Sequence, residues 1–174
     1  TAGLHFTEKL INILKSKGIF GSVSSKVIDT DENDQKIIDL IIEEKATGEI
    51  SAAAGFGTDG SSISLGIAEN NFNGKGINLE GDISIGEDSI KGSVSYTHPN
   101  FMYSDRALTS SLQSTTTDKL KDYGYKSSLN RVALGTSYEQ FEKFYFSPSL
   151  SISSEKIETA SNASSAYKKQ EGSY

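Results

Sequence analysis

The sequence has no cysteine and no tryptophan, and only two prolines, two histidines and one methionine in 174 residues. Without cysteine there is no disulfide, no Fe–S cluster, no thiol nucleophile and no cysteine zinc site. The two histidines, His5 and His98, leave little for histidine metal chemistry or triads. Basic charge is also short. Lys plus Arg is 17 against 23 Asp plus Glu, a formal net charge of -6, the wrong sign for a nucleic-acid footprint. No apolar run approaches the ~20 residues of a membrane helix, and no secretory signal is visible. The chain opens mid-pattern at Thr1-Ala2-Gly3 and reads as a fragment. What is present is Gly, much Ser, eight Tyr and eight Phe, with only 35% hydrophobic residues. That balance points to β structure rather than disorder or a helix bundle.

Residues 1–47 stand apart. Phe6, Leu10 and Leu14 recur every fourth position with Ile13 beside them, which predicts a helix over Leu4–Lys17 with Thr7 as N-cap and Gly18 just past the end. Val23, Ser25 and Val27 then alternate with Ser24 and Lys26; Thr30–Gln35 is a polar turn; Ile38, Leu40 and Ile42 alternate with Asp39, Ile41 and Glu43. The expectation is a helix followed by a β-hairpin.

After Thr47-Gly48 the period is two throughout. Ile50, Ala52, Ala54 and Phe56 face one way and Ser51, Ala53, Gly55 and Gly57 the other. Ile63, Leu65 and Ile67 follow, then Ile77, Leu79, Ile83 and Ile85, then Ile90, Val94 and Tyr96. Further strand-like runs lie at 105–116, 126–138 and 143–154, and the tail from Glu155 reads as a loop. About seven consecutive strands of roughly 9–13 residues result, close to the length of a tilted membrane strand. One face is apolar; the other is small, polar and charged. A soluble sandwich turns the apolar face inward, whereas a membrane barrel turns it to lipid. Periodicity does not choose between them.

Motifs for chemistry are weak. Gly55-Phe56-Gly57-Thr58-Asp59-Gly60 fits G-x-G-x-x-G, but a strand rather than a helix follows, so no pyrophosphate site forms and the glycines belong to a hairpin. Asp29, Asp31, Asn33 and Asp34 resemble the start of a calcium loop, yet Asp34 and Leu40 stand where Gly and Glu are needed, which leaves a solvated acidic turn. Asn162-Ala163-Ser164 is a glycosylation triplet of a kind common by chance. No nucleophile–base pair or paired carboxylates stand out. The reading is no enzyme, no cofactor and no metal.

The order of the pieces is more telling. Glu43-Glu44-Lys45-Ala46-Thr47-Gly48 leads into the first strand; Asn71-Phe72-Asn73-Gly74-Lys75-Gly76 ends the second; Thr97-His98-Pro99-Asn100-Phe101 ends the fourth. This succession resembles the BamA family of outer-membrane protein assembly factors. There the last POTRA domain ends in an E-x-x-x-T-G-like segment that runs into the barrel, the second strand ends in N-x-x-G-x-G, and the fourth in T-x-P-x-F. Phe72 stands where Trp is more usual, and the family's Arg-Gly loop and terminal strand are not in this stretch.

The resemblance implies a mainly β fold, the N-terminal half of a transmembrane antiparallel β-barrel preceded by a partial α+β POTRA domain. Residues 1–47 are expected to be the C-terminal part of that domain, in the periplasm of a Gram-negative bacterium. Residues 49–174 are expected to be about seven strands of the outer-membrane barrel. On this reading Ile77, Leu79, Ile83, Ile85 and Val94 meet lipid, while Asn78, Glu80, Asp82, Lys91 and Arg131 face a wet lumen. The turns at 70–76, 98–104 and 138–143 lie on the POTRA side, and those at 58–62, 86–89, 117–125 and beyond 154 lie outside. The implied function is insertion of other β-barrel proteins, with unfolded outer-membrane proteins, BAM-complex lipoproteins and lipid as partners. The implied pairing edge for a client strand is Ile50, Ser51, Ala52, Ala53, Ala54, Gly55, Phe56 and Gly57. The small residues there weaken side-chain packing, or serve seam curvature. A related POTRA-barrel pore of the two-partner secretion or TamA type, and a soluble β-rich binding domain, are the alternatives.

Overall fold

The computed structural model describes residues 2–30, 36–57 and 60–174, with residues 2–7 described as backbone only. It divides into two units, Thr1–Thr47 and Gly48–Tyr174. Asp31, Asn33, Asp34 and the hairpin-turn Asp59 lie outside the described residues.

In the first unit, helix α1 spans Ala2–Ser16. Thr7 is therefore inside the helix and not its N-cap, since a threonine in a helix interior costs only a few tenths of a kcal/mol, about 0.5 at most. Gly18 does sit just past the end, with φ +69°. The amides of Lys17 and Gly18 donate to the carbonyls of Leu14 and Lys15 at 3.2 and 3.1 Å. Strands β1 (Phe20–Asp29) and β2 (Lys36–Glu44) form an antiparallel hairpin in which Val23 faces Ile42 and Val27 faces Ile38. α1 packs against β1, and Val23 is buried. β2 is exposed along its whole length.

The second unit is one antiparallel sheet, a meander in which each strand pairs with the next along the chain. Its strands are β3 (Gly48–Gly57), β4 (Gly60–Phe72), β5 (Ile77–Gly86), β6 (Ser89–His98), β7 (Arg106–Lys119) and β8 (Tyr125–Phe141), then β9 (Phe144–Phe146), β10 (Ser149–Thr159) and β11 (Gly172–Ser173). All described strands of this unit share a single sheet, and among the described residues no second sheet packs on it as in a sandwich. Among the described residues of this unit only Ile77 and Ala163 are buried apolar side chains.

Three details depart from the sequence reading. β7 and β8 run longer than expected, which shortens the link between them to five residues, 120–124. The last predicted strand is broken at Ser147-Pro148, because proline has no amide to donate to the ladder. The register is nevertheless kept across the break: Tyr138 faces Phe146, Gly135 faces Ser149, and the Thr136 amide donates to the Pro148 carbonyl at 3.0 Å. The tail is not a loop from Glu155. β10 continues to Thr159, a helical turn α2 (Ser165–Lys168) follows, and β11 returns along β10.

That return builds a cap on the 120–124 link. The Ala160 amide donates to the Gly124 carbonyl at 2.8 Å, and Tyr125 and Tyr167 stack with centroids 4.2 Å apart. Gly124 has φ +74°, and a Cβ there would lie 2.5 Å from the Ala163 nitrogen. Both facts demand glycine. Gly124→Ala should therefore lower the denaturation midpoint of the detergent-folded protein, a cost of about 1–3 kcal/mol. Gly57→Ala, whose Cβ would meet nothing within 4 Å, should leave the midpoint unchanged.

In the hairpin of the first unit, the Lys36 ammonium donates to the Asp29 carboxylate at 2.7 Å. That bond and charge hold the Asp29 carboxyl below its ordinary range. Because the folded value is depressed, the contribution is present at neutral pH and is lost as pH falls through the folded value. An NMR titration should give Asp29 a midpoint below that of an ordinary aspartate, and Lys36→Met should return it to the ordinary range.

Candidate functional site: an unpartnered apolar face and an edge strand

The ladder registers align side chains in rows across the sheet. One end of the sheet, here the near end, carries the turns at 73–76, 99–105 and 142–143. The far end carries the Gly57 end of β3, the Gly60 end of β4 and the turns at 87–88 and 120–124. On the apolar face, one row reads Ile50, Ile67, Gly81, Val94, Leu112, Val132, Ile152. The next towards the far end reads Ala52, Leu65, Ile83, Gly92, Ser114, Asn130, Ser154, and the one after that Ala54, Ile63, Ile85, Ile90, Thr116, Ser128, Lys156. The apolar band therefore slopes. It reaches the far end on β3–β6 but gives way on β7, β8 and β10 to polar pairs, including Ser114 Oγ donating to Asn130 Oδ1 at 2.8 Å. A level membrane plane crosses tilted strands at a shifting register in this manner.

Nothing in the described unit covers this face. Ile83, Ile85 and Val94 are 43%, 52% and 47% exposed, and Leu79 is half-buried. Ile77 departs from the expected lipid-facing set. It is only 5% exposed and has almost no surface to offer lipid. It opens β5 directly after the tight turn closed by the Gly76 amide on Asn71 Oδ1 at 2.7 Å, and the β4–β5 register shifts between Glu69 and Phe72. Alternation from Leu79 does not reveal that a bulge and turn crowd Ile77.

The opposite face carries small and polar groups. Its central row reads Ser51, Gly66, Asp82, Ser93, Gln113, Arg131, Ser153. The Ser93 hydroxyl donates to Asp82, and Ser64 donates to Ser84 at 2.9 Å. Glu80, Asp82, Lys91 and Arg131 are exposed and Asn78 is half-buried.

Aromatic rings gather at the near end. Tyr138 and Phe146 meet edge to face at 5.9 Å, Phe141 and Phe144 lie 6.2 Å apart, and the Arg106 guanidinium stands 5.2 Å from the Tyr138 ring centre. Met102 and Tyr103, both with positive φ, project almost fully into the surroundings from the adjacent turn. Aromatic girdles of this kind mark the interfacial zones of outer-membrane barrels.

β3 is the edge. It pairs with β4 alone among the described strands, and every residue from Gly48 to Gly57 is exposed, with Ile50 at 87% and Phe56 at 92%. Its cross-strand pairs on the apolar face are Ile50–Ile67, Ala52–Leu65, Ala54–Ile63 and Phe56–Ser61. Only the first matches two large apolar side chains. On the other face Ser51 lies opposite Gly66, where a Cβ would come within 2.6 Å of the Ser51 hydroxyl oxygen. Gly66 thus gives Ser51 its place, a pairing the sequence did not signal.

No protein-family model matches the sequence, and no curated protein matches it. Among solved structures it is similar to the crystal structure of BamA from Haemophilus ducreyi lacking POTRA domains 1-3, with a TM-score of 0.73 at 24% sequence identity. The match covers 85% of this chain, which spans 29% of that one. The chain therefore has the fold of a BamA-type β-barrel fragment.

Proposed function

We propose that this chain is part of an outer-membrane assembly factor that inserts other β-barrel proteins by strand pairing, without covalent chemistry. The observation that carries the reading is the weakly packed edge strand β3 on a sheet whose apolar face is left uncovered by the described residues. In lipid the backbone must find its hydrogen bonds within protein, so a wall of this kind belongs to a closed barrel. β3 is then the seam strand. Its side chains contribute little cross-strand packing, so it is held mainly by its ladder to β4. When the seam parts, those residues among Ile50, Ser51, Ala52, Ala53, Ala54, Gly55, Phe56 and Gly57 whose amides and carbonyls point away from β4, every second one along the strand, template an incoming strand by β-augmentation. Residues 1–47 serve as the last part of a periplasmic POTRA domain, and the exposed β2 offers a second edge to unfolded clients or partner lipoproteins.

The membrane assignment and the pairing edge are tested separately. Arg at Ile83 or Val94 should block stable membrane assembly of the full-length protein, at a cost of about 2–4 kcal/mol near the midplane. Lys at Ser95, on the polar face, should be much milder. Equal tolerance on the two faces, judged by heat-modifiable gel mobility, sinks the assignment.

For the edge, Ala52→Pro or Ala54→Pro in the full-length protein removes an amide donor and should slow client assembly, while Ala53→Ser should be nearly silent. Cysteines at Ser51 or Ala53 should crosslink to a client's terminal strand. Well-folded proline variants that assemble clients at the normal rate, with no crosslinks, would leave only seam curvature to explain the small residues.

A further inference from the structure

The far end of the edge hairpin is fastened by a side chain. The last backbone pair between β4 and β5 joins Ser62 to Gly86, so the amide of Ser61 lies beyond the ladder. One oxygen of the Glu87 carboxylate, in the β5–β6 turn, completes it. It accepts the Ser61 amide at 2.9 Å and the Ser61 hydroxyl at 2.8 Å. Gly60, with φ +91°, lies directly under the carboxylate, and a Cβ there would sit 2.5 Å from the carboxyl carbon. The turn is itself held on its other side, where the Asp118 amide of β7 donates to the Asp88 carbonyl at 2.7 Å. The β5–β6 turn is thus a post, joined to the wall at β7 through backbone and to the edge hairpin through Glu87. The two bonds from Ser61 also hold the Glu87 carboxyl below its ordinary range, so it is an anionic acceptor at neutral pH.

We propose that Glu87 is a positioning residue that pins the far end of the β3–β4 hairpin to the β5–β6 turn and so fixes the far half of β3 for client pairing. The client-pairing part rests on the function proposed above; the pin itself does not. Because β3 is joined to the sheet only through β4, whatever fixes the outer end of β4 also fixes the outer end of the seam. The near half, around Ser51, lies at the other end of the β3–β4 ladder, opposite Gly66. Loss of the pin therefore acts on one half of the edge.

The test uses the full-length protein in lipid and has two readouts. In Glu87→Ala, hydrogen exchange at the Ser61 amide should rise about tenfold, while amides paired between β6 and β7 keep their rates. Glu87→Gln retains an acceptor oxygen of the same reach and should restore most of the protection. Gly60→Ala should mimic Glu87→Ala by displacing the carboxylate. In crosslinking to a client strand, Glu87→Ala should lower the yield from a cysteine at Gly55 several-fold relative to one at Ser51, and Glu87→Gln should rescue it. Unchanged exchange at Ser61 in Glu87→Ala overturns the pin. Raised exchange with both crosslinks at their original yield overturns the positioning role. A normal pin with no crosslink at either position in the unmodified background refutes the edge-pairing reading, and the positioning role falls with it while the pin stands.

Discussion

The second unit depends on one constraint: among the described residues no protein layer lies against the apolar face of its sheet. In a soluble sandwich each strand is held by its two neighbours and by the side chains of a facing sheet. Here the second contribution is missing, and the ladder has to position every strand. The continuity of register across Ser147-Pro148 shows how strong that control is, since the strand loses an amide and keeps its alignment. It also makes local losses of pairing matter, because no packed core absorbs them.

Strands joined in this way are not equally secure. β8 has long ladders on both sides, and its Val132 stands between Leu112 and Ile152. β3 has one ladder and mostly alanine or serine in its apolar-face pairs. Cross-strand pairs of large side chains contribute about 0.2–1 kcal/mol each, so the difference accumulates along the strand. The close seating of Ser51 over Gly66 and the poverty of large pairs are two sides of one choice of residues. Small side chains let the backbones approach and bend, and they leave the hydrogen bonds as the main tie. Curvature at the seam and a weak hold on it are in this sense a single property.

Much of this was legible in the sequence, because a half-buried strand writes its geometry as alternation. Ile83, Ile85 and Val94 declare their face by a period of two, and the glycine-rich turn at 73–76 declares its position. What alternation conceals is anything set by a neighbouring strand. Ile77 has the right parity for the exposed face but is buried, directly after a bulge and a tight turn. The tail reads as a loop because Ser, Ala and Lys show no period, yet its fold is fixed by docking on Gly124 and Tyr125, which lie 35 or more positions earlier for Ala160 and beyond. Thr7 misled because capping preference says where a helix is able to start, while the residues ahead of it decide whether it starts sooner.

Glu87 belongs to the same class of hidden information. In sequence it is an acidic residue in a polar turn, Gly86-Glu87-Asp88-Ser89, and such residues are ordinarily solvated. Its meaning comes from a residue 26 positions away, Ser61, which the meander brings beside it. Gly60 shows that the contact constrains both partners, because the carboxylate occupies the space a side chain would take. In a wall without a second layer, a turn that links strands on both of its sides does work that a core performs in a sandwich. An edge strand can then be weakly packed along its length and still be aligned, its ladder to β4 running its whole length and a carboxylate fastening the outer end of β4. On the proposed function, a strand that parts from one neighbour and accepts another needs this combination, since full packing would close the edge and free ends would lose its register.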